Sequence, residues 1–344
     1  MIYTNIYRIL DRLTRLYIMP ILFSFGICSI PLAIIGLNPI VVYSRLVFGA
    51  FRDRYWISEL ILKITPLLMC SLAVGLSLRV SFWNIGVEGQ FLIGAWASGG
   101  IALTFGYFSK YVLIPLMMVA GFISGALWIS VPAILKTKLK VNEIITTLLM
   151  NYIASLWLNH FVYGKWKGAD GFPYTEKFSE SAYLPGLIGQ RMHIGIFFGI
   201  CIVAVFYLIF KKTRFGYEAR VVGESVKAAK YGGINTNMVI LIIALASAGI
   251  AGFAGMIDVS GIHHRLHPNI LLGYGYTGII IAWLSKNDPI IILLVSALFG
   301  ILAVGGDIIQ VLQVPNSIVR ILQAIIFLSF LVADKLFSHS SKAY

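Results

Sequence analysis

The run Arg79-Val80-Ser81-Phe82-Trp83-Asn84-Ile85-Gly86-Val87-Glu88-Gly89-Gln90 sets three polar side chains, Asn84, Glu88 and Gln90, between two long apolar stretches. Asn and Gln each offer donors and acceptors, a set suited to an uncharged polar solute. Gly86 and Gly89 permit unwound backbone, which is tolerated inside a bilayer only where it is buried in protein or lines a cavity. Polar groups at that depth are costly and usually functional. The run therefore predicts a broken segment beside a translocation route. The plain alternative is a short turn with a solvated Glu88. A second polar set follows at Glu143, Thr147 and Asn151. These recur every four residues and share one helix face. That stripe faces either the route or a neighbouring helix.

Nothing in the chain predicts catalysis. Asp258 stands near His263, His264 and His267, but the spacing matches no strong metal motif. These four read as a solvated outer loop, with no metal and no cofactor expected. Cys28, Cys70 and Cys201 are widely spaced inside apolar stretches and read as small apolar fillers. The segment 164–191 reads as an ordered outer loop.

The elements that must position these residues follow from composition. Of 344 residues, 59% are hydrophobic and 12% charged. A soluble domain carries about 25% charged residues, so lipid is the solvent that fits. The predicted class is all-α, an integral membrane protein of about ten spans. A spanning helix needs about 20 apolar residues. The candidates are 19–43, 60–79, 89–107, 112–135, 143–163, 192–210, 237–259, 271–285, 289–306 and 316–333. Residues 1–18 read as an amphipathic helix on the inner headgroups, with Arg8, Arg12 and Arg15 opposite Ile6, Leu10 and Leu13.

The net charge of +13 is explained by orientation rather than by a nucleic-acid partner. With both termini cytoplasmic, the inside segments hold 16 of the 27 Lys and Arg and the outside segments nine, as the positive-inside bias requires. The strongest vote is 211–236.

An internal repeat is also visible. Gly94-Ala95-Trp96-Ala97-Ser98 resembles Ile281-Ala282-Trp283-Leu284-Ser285, and each follows a Gly-rich break. Ten spans would make 19–163 and 192–344 inverted five-span repeats joined by 164–191, a plan typical of transporters.

The strip 213–234, Thr-Arg-Phe-Gly-Tyr-Glu-Ala-Arg-Val-Val-Gly-Glu-Ser-Val-Lys-Ala-Ala-Lys-Tyr-Gly-Gly-Ile, reads either as a basic loop enforcing topology or as a coupling helix gripped by a motor. The chain has no G-x-x-x-x-G-K-[ST] cradle for ATP phosphates. Any ATP hydrolysis must come from another polypeptide. A self-powered secondary transporter is the alternative, with Glu88 and Glu143 as its only obvious ion-coupling carboxylates.

Three motifs, Phe82–Gln90, Val141–Ala154 and the 213–234 strip, together resemble the permease subunits of bacterial ATP-binding-cassette importers. The branch is that of nucleosides and simple sugars, related to ribose and branched-chain amino acid permeases. The resemblance covers about residues 60–310. It implies a second permease subunit in a homo- or heterodimer, a cytoplasmic ATPase and an extracytoplasmic substrate-binding protein, with this chain in the bacterial inner membrane. It places Asn84, Glu88 and Gln90 near the route. It puts Gly216, Glu218, Arg220, Gly223, Ala228, Ala229 and Gly232 in the ATPase-docking loop. Glu224 departs from the Asn common in relatives. The form of the Asn84–Gln90 motif favours a nucleoside; ribose or galactose stays open.

Overall fold

The computed structural model describes residues 19–187, 191–270, 273–310 and 317–339. The amphipathic helix expected at 1–18 lies outside the described residues. Thirteen α-helices occur among the described residues, with one isolated bridge between Gly186 and His193 and no strands. They are α1 (Met19–Ile34), α2 (Pro39–Phe48), α3 (Arg54–Leu78), α4 (Val87–Thr104), α5 (Lys110–Leu139), α6 (Glu143–Tyr163) and α7 (Gly195–Lys212). Then follow α8 (Arg214–Glu224), α9 (Val226–Tyr231), α10 (Thr236–Asp258), α11 (Tyr274–Leu284), α12 (Pro289–Ile309) and α13 (Ser317–His339). The chain is an all-α, multi-pass membrane protein. Among the described residues, five helices are individually long and apolar enough to cross a bilayer: α3, α5, α7, α12, and α10 with its continuation to His263.

The expected spans need two adjustments. The stretch 19–43 is two helices, because the chain turns at Gly36, whose φ is 81°. The turn is fixed by Asn38, which accepts from the Ile40 amide at 3.0 Å with Pro39 in the first helical turn. The short stretch near 271–285 is an 11-residue helix, α11. At 1.5 Å per residue it is about 16 Å long, roughly half the hydrocarbon thickness.

The chain divides into two compact units. One unites residues up to Leu60 with those from Leu298 onward. Its core is Cys28 and Leu32 of α1, Val42 and Leu46 of α2, Leu302 and Ile309 of α12, and Val319, Leu322 and Ile326 of α13. Ser24 and Ser329 join α1 to α13 at 3.2 Å.

The other unit, Ile61–Ala297, contains all the candidate residues. Its centre is α4, α5 and α10, pressed together along small residues. A Cβ on Gly94 would run into the Gly252 backbone, and one on Gly252 would meet the Gly121 carbonyl. Lipid supplies no hydrophobic drive between helices, so close backbone contact has to hold them. Cys70 is buried in this unit, whereas Cys201 is exposed, so only the former fills a core.

Candidate functional site

The chain leaves α3 at Leu78 and does not begin α4 until Val87. Between them Ser81 takes a φ of 55°, and the backbone turns back among the helices. The three polar residues of this break are deeply buried: Asn84 is 1% exposed, Glu88 5% and Gln90 1%. Glu88 is therefore not a solvated residue of a turn. Asn84 and Gln90 form a reciprocal amide pair. Asn84 Nδ2 donates to Gln90 Oε1 at 3.0 Å, and Gln90 Nε2 donates to Asn84 Oδ1 at 2.8 Å. Asn84 Nδ2 also reaches Ser247 Oγ of α10 at 3.1 Å. Ser247 in turn donates to the Ala73 carbonyl at 2.6 Å. Burial without partners would cost each amide about 1–3 kcal/mol, and here the groups satisfy one another.

Glu88 reaches across 185 residues of sequence. Its Oε1 accepts the Gly273 amide at 3.0 Å and its Oε2 the Gly275 amide at 2.5 Å. The carboxylate thus caps the N-terminal end of α11, whose unpaired amides favour negative charge. A Cβ on Gly275 would collide with Glu88, so the approach requires glycine.

The Glu143–Asn151 stripe faces this break. Asn142 starts α6 by accepting the Ile144 amide at 2.9 Å. Thr147 Oγ1 accepts from the Ile85 amide at 3.3 Å. Asn151 accepts the Gly89 amide at 2.8 Å and donates to the Ile85 carbonyl at 2.9 Å, with Tyr276 Oη at 3.4 Å. Asn151 lies eight residues into α6, about 12 Å along it. The stripe thus bonds the unwound backbone of the neighbouring break. Glu143 differs: it is 5% exposed and pairs with Lys136 at 2.6 Å. Five of the six predicted residues form one cluster, and Glu143 sits beside it at the foot of α6.

Sequence reasoning passed over the aromatic side of this cluster. Tyr276 and Trp283, 43% and 37% exposed, lie seven residues apart on α11 and so share a face. The Trp83 ring is 6.2 Å from that of Trp283. The signal was present as Trp83 inside a quoted motif, but nothing in the sequence showed which ring it would meet.

The 213–234 strip folds as two short helices, each with a side-chain cap. Thr213 accepts the Gly216 amide at 3.1 Å, and Ser225 the Ala228 amide at 3.2 Å. The seven residues expected to dock divide by burial. Gly216 and Ala229 are buried. A Cβ on Gly216 would strike the end of α7 at Ile209, and one on Gly223 the Arg79 carbonyl. Arg220 donates to the Phe210 carbonyl at 3.1 Å, and Glu218 pairs with Arg214 at 3.0 Å. Ala228 and Gly232 are exposed. So are Tyr217, Val226 and Tyr231, the last at 95%. Tyr217, Val226 and Tyr231 were not singled out from sequence.

At the opposite end, the loop after α6 lies against residues 260–266. Phe178 donates to the His264 carbonyl at 2.8 Å, and Thr175 and Leu266 exchange bonds at 3.0 Å. Asp258 is 1% exposed, which corrects the expectation of a solvated loop there. It meets His263 Nε2 at 3.2 Å, close enough for an ion pair when the imidazole is protonated but not aligned as a hydrogen bond. His267 Nε2 lies 3.2 Å from His263 Nδ1. Burial, reinforced by His263, pushes His267 down to about 4 from an ordinary 6.5. Among the described residues no group of three or more ligands has the geometry to hold a metal.

Relatives name the class of this multi-pass helical protein. Residues 56–331 match the family described as the branched-chain amino acid transport system permease component, and the chain belongs to that family. It is similar to a glucose ABC transporter permease of Haloferax volcanii, at 31% identity over 93% of this chain and 87% of that protein. It is similar to a guanosine ABC transporter permease of Bacillus subtilis, at 31% over 92% and 93%. A nucleoside ABC transporter permease of Lactococcus lactis matches at 28% over 95% and 93%. In the same three organisms a second such permease also matches, at 25%, 26% and 26%.

Proposed function

We propose that this chain forms half of the pathway of an ABC importer for nucleosides. The observation that carries the reading is the pair of helices that start after a break, α4 and α11, which are capped by Gly86 and Gly273 and joined through Glu88. The guanosine permease at 31% identity and the nucleoside permease at 28% each match across more than nine-tenths of this chain. In this reading Asn84, Glu88, Gln90, Thr147 and Asn151 stand just behind the route and fix its wall. Trp83, Tyr276 and Trp283 supply aromatic faces toward it, suited to stacking a nucleobase. Glu143 anchors the foot of α6. The similar starts of α4 and α11 also support the inverted-repeat plan, with both termini cytoplasmic.

The partners are a second permease, a cytoplasmic ATPase and an extracytoplasmic substrate-binding protein. The occurrence of two matching permeases in each of three organisms supports a heterodimer. The ATPase sits on the exposed side of the strip, against Tyr217, Val226, Ala228, Tyr231 and Gly232, while the buried glycines seat the strip on the bundle. A simple sugar is the second reading, favoured by the glucose permease relative.

The test is uptake into proteoliposomes holding this chain, the second permease and the ATPase, with the binding protein added outside. ATP-dependent uptake of labelled nucleoside, competed by unlabelled nucleosides but not by glucose or ribose, is the expected result. Competition by sugars alone would overturn the nucleoside reading in favour of the sugar one. Uptake driven by an ion gradient without the ATPase would overturn both.

A further inference from the structure

Residues 79–88 run antiparallel to α11 and hold it at both ends. At one end Arg79 lays Nε and Nη2 on the Asn287 carbonyl, at 3.1 and 2.6 Å, just past the C-terminus of α11. In the middle Trp83 faces Trp283. At the other end Glu88 binds the Gly273 and Gly275 amides. A segment of ten residues therefore brackets a helix of 11.

The turn that offers the Asn287 carbonyl is shaped for this grip. Lys286 and Asn287 both have positive φ, 49° and 59°, a conformation that L-residues adopt at a cost. Arg79 has a second anchor. Its guanidinium lies 5.0 Å from the centre of the Phe210 ring at the end of α7. A planar guanidinium can fork onto a carbonyl and stack on an aromatic face together; an ammonium cannot.

The same segment is gripped by the 213–234 strip. Gly223 packs against the Arg79 carbonyl with no room for a Cβ. Ser81 Oγ donates to the Gly223 carbonyl at 2.9 Å. Arg220 of the strip holds the carbonyl of the same Phe210 that Arg79 covers. The strip, the end of α7, the 79–88 segment and the 286–288 turn thus meet around one guanidinium.

We infer that residues 79–88 are a strap that carries movement of the docking strip to the half-length helix α11, and that Arg79 is the positioning residue joining the two. The inference rests on the permease reading above. A displaced strip moves the strap through Gly223 and Ser81. The strap cannot shift without α11, because Arg79 and Glu88 hold both ends of that helix. Asn84 and Gln90, on the strap and immediately after it, move with it, so the polar cluster and the aromatic face respond to the motor together.

The test uses the full complex in proteoliposomes and reads two rates at once, ATP hydrolysis and nucleoside uptake. For Arg79→Ala, ATPase association and hydrolysis are expected to persist while uptake per ATP falls about tenfold, within the roughly 5- to 150-fold range typical of coupling between sites. Arg79→Lys should restore part of that ratio. Ser81→Ala, an exposed change, should lower the ratio by about twofold at unchanged assembly, the size of one weak hydrogen bond. A merely structural role would lower complex yield, with hydrolysis and uptake falling in step; that result overturns the inference, as does an unchanged ratio in Arg79→Ala. A wild-type complex that takes up no nucleoside on ATP addition would instead overturn the permease reading beneath it.

Discussion

Two regions of the central unit hold helices together by opposite means. Along α4, α5 and α10, contact is made by absence: Gly94, Gly121, Gly125 and Gly252 bring backbones together with nothing between. Around the break at 79–90, contact is made by polar groups, through the Asn84–Gln90 pair, the Glu88 cap on α11 and the two bonds of Asn151. A glycine seam has one good arrangement, since any slide brings a side chain into a backbone. Hydrogen bonds in a polar cluster can be exchanged for others, with water or with a solute. On the importer reading proposed above, the seam is the fixed frame and the cluster the moving wall.

The contrast can be broken most forcefully at the seam. Gly252→Val places a branched side chain against Gly121 and Gly125 backbone. Overpacking of this kind costs about 1–3 kcal/mol or more, so thermal unfolding in detergent should show a large drop or a loss of folded yield. A near-wild-type melting temperature would mean that the seam is loose. Next is Glu88→Ala, which leaves the half-buried Gly273 amide and the buried Gly275 amide without their carboxylate, at up to about 1–3 kcal/mol each. Uptake should be lost. Glu88→Gln, whose amide oxygen can still accept, should retain part of it. Equal loss in both variants would show that the charge, not the cap, is what matters.

A smaller effect is expected from the amide pair. Asn84→Leu and Gln90→Leu each strand a buried partner, whereas the double variant strands neither within the pair. The double-mutant cycle should give coupling of about 1 kcal/mol; strict additivity would deny the pair. A further effect lies at the far end. His267 is held near 4 when folded but titrates near 6.5 in the unfolded chain, so folding favours its neutral form. The unfolded chain then binds more protons between those values, and stability rises with pH. That contribution is complete above about 6.5 and is lost as pH falls toward about 4. Thermal scans across this window should show the slope, and His267→Gln should flatten it.

The sequence disclosed local features well and long-range ones poorly, for physical reasons. The Glu143–Asn151 stripe was readable because helix periodicity puts every fourth residue on one face. What the stripe faces was not readable, because its partner, the 84–90 backbone, lies some 60 residues earlier. The Arg79–Asn287 contact spans 208 residues and leaves no periodic trace. The split at Gly36 was missed because an apolar run looks alike whether straight or folded back. Asp258 read as wet because a carboxylate at the end of an apolar run does not disclose its burial, which only the fold shows. Gly216 and Gly223 stood out by family resemblance, and their backbone contacts at Ile209 and Arg79 emerged only in three dimensions.

The most direct test of a moving cluster on a fixed seam is amide hydrogen exchange on the complete complex in nanodiscs, resting and hydrolysing ATP. The account predicts faster exchange at Gly273 and Gly275 during turnover, as the Glu88 cap opens, with the amides of 248–255 unchanged. Equal protection of Gly273 and Gly275 in both states, or exchange that rises first along 248–255, would contradict it.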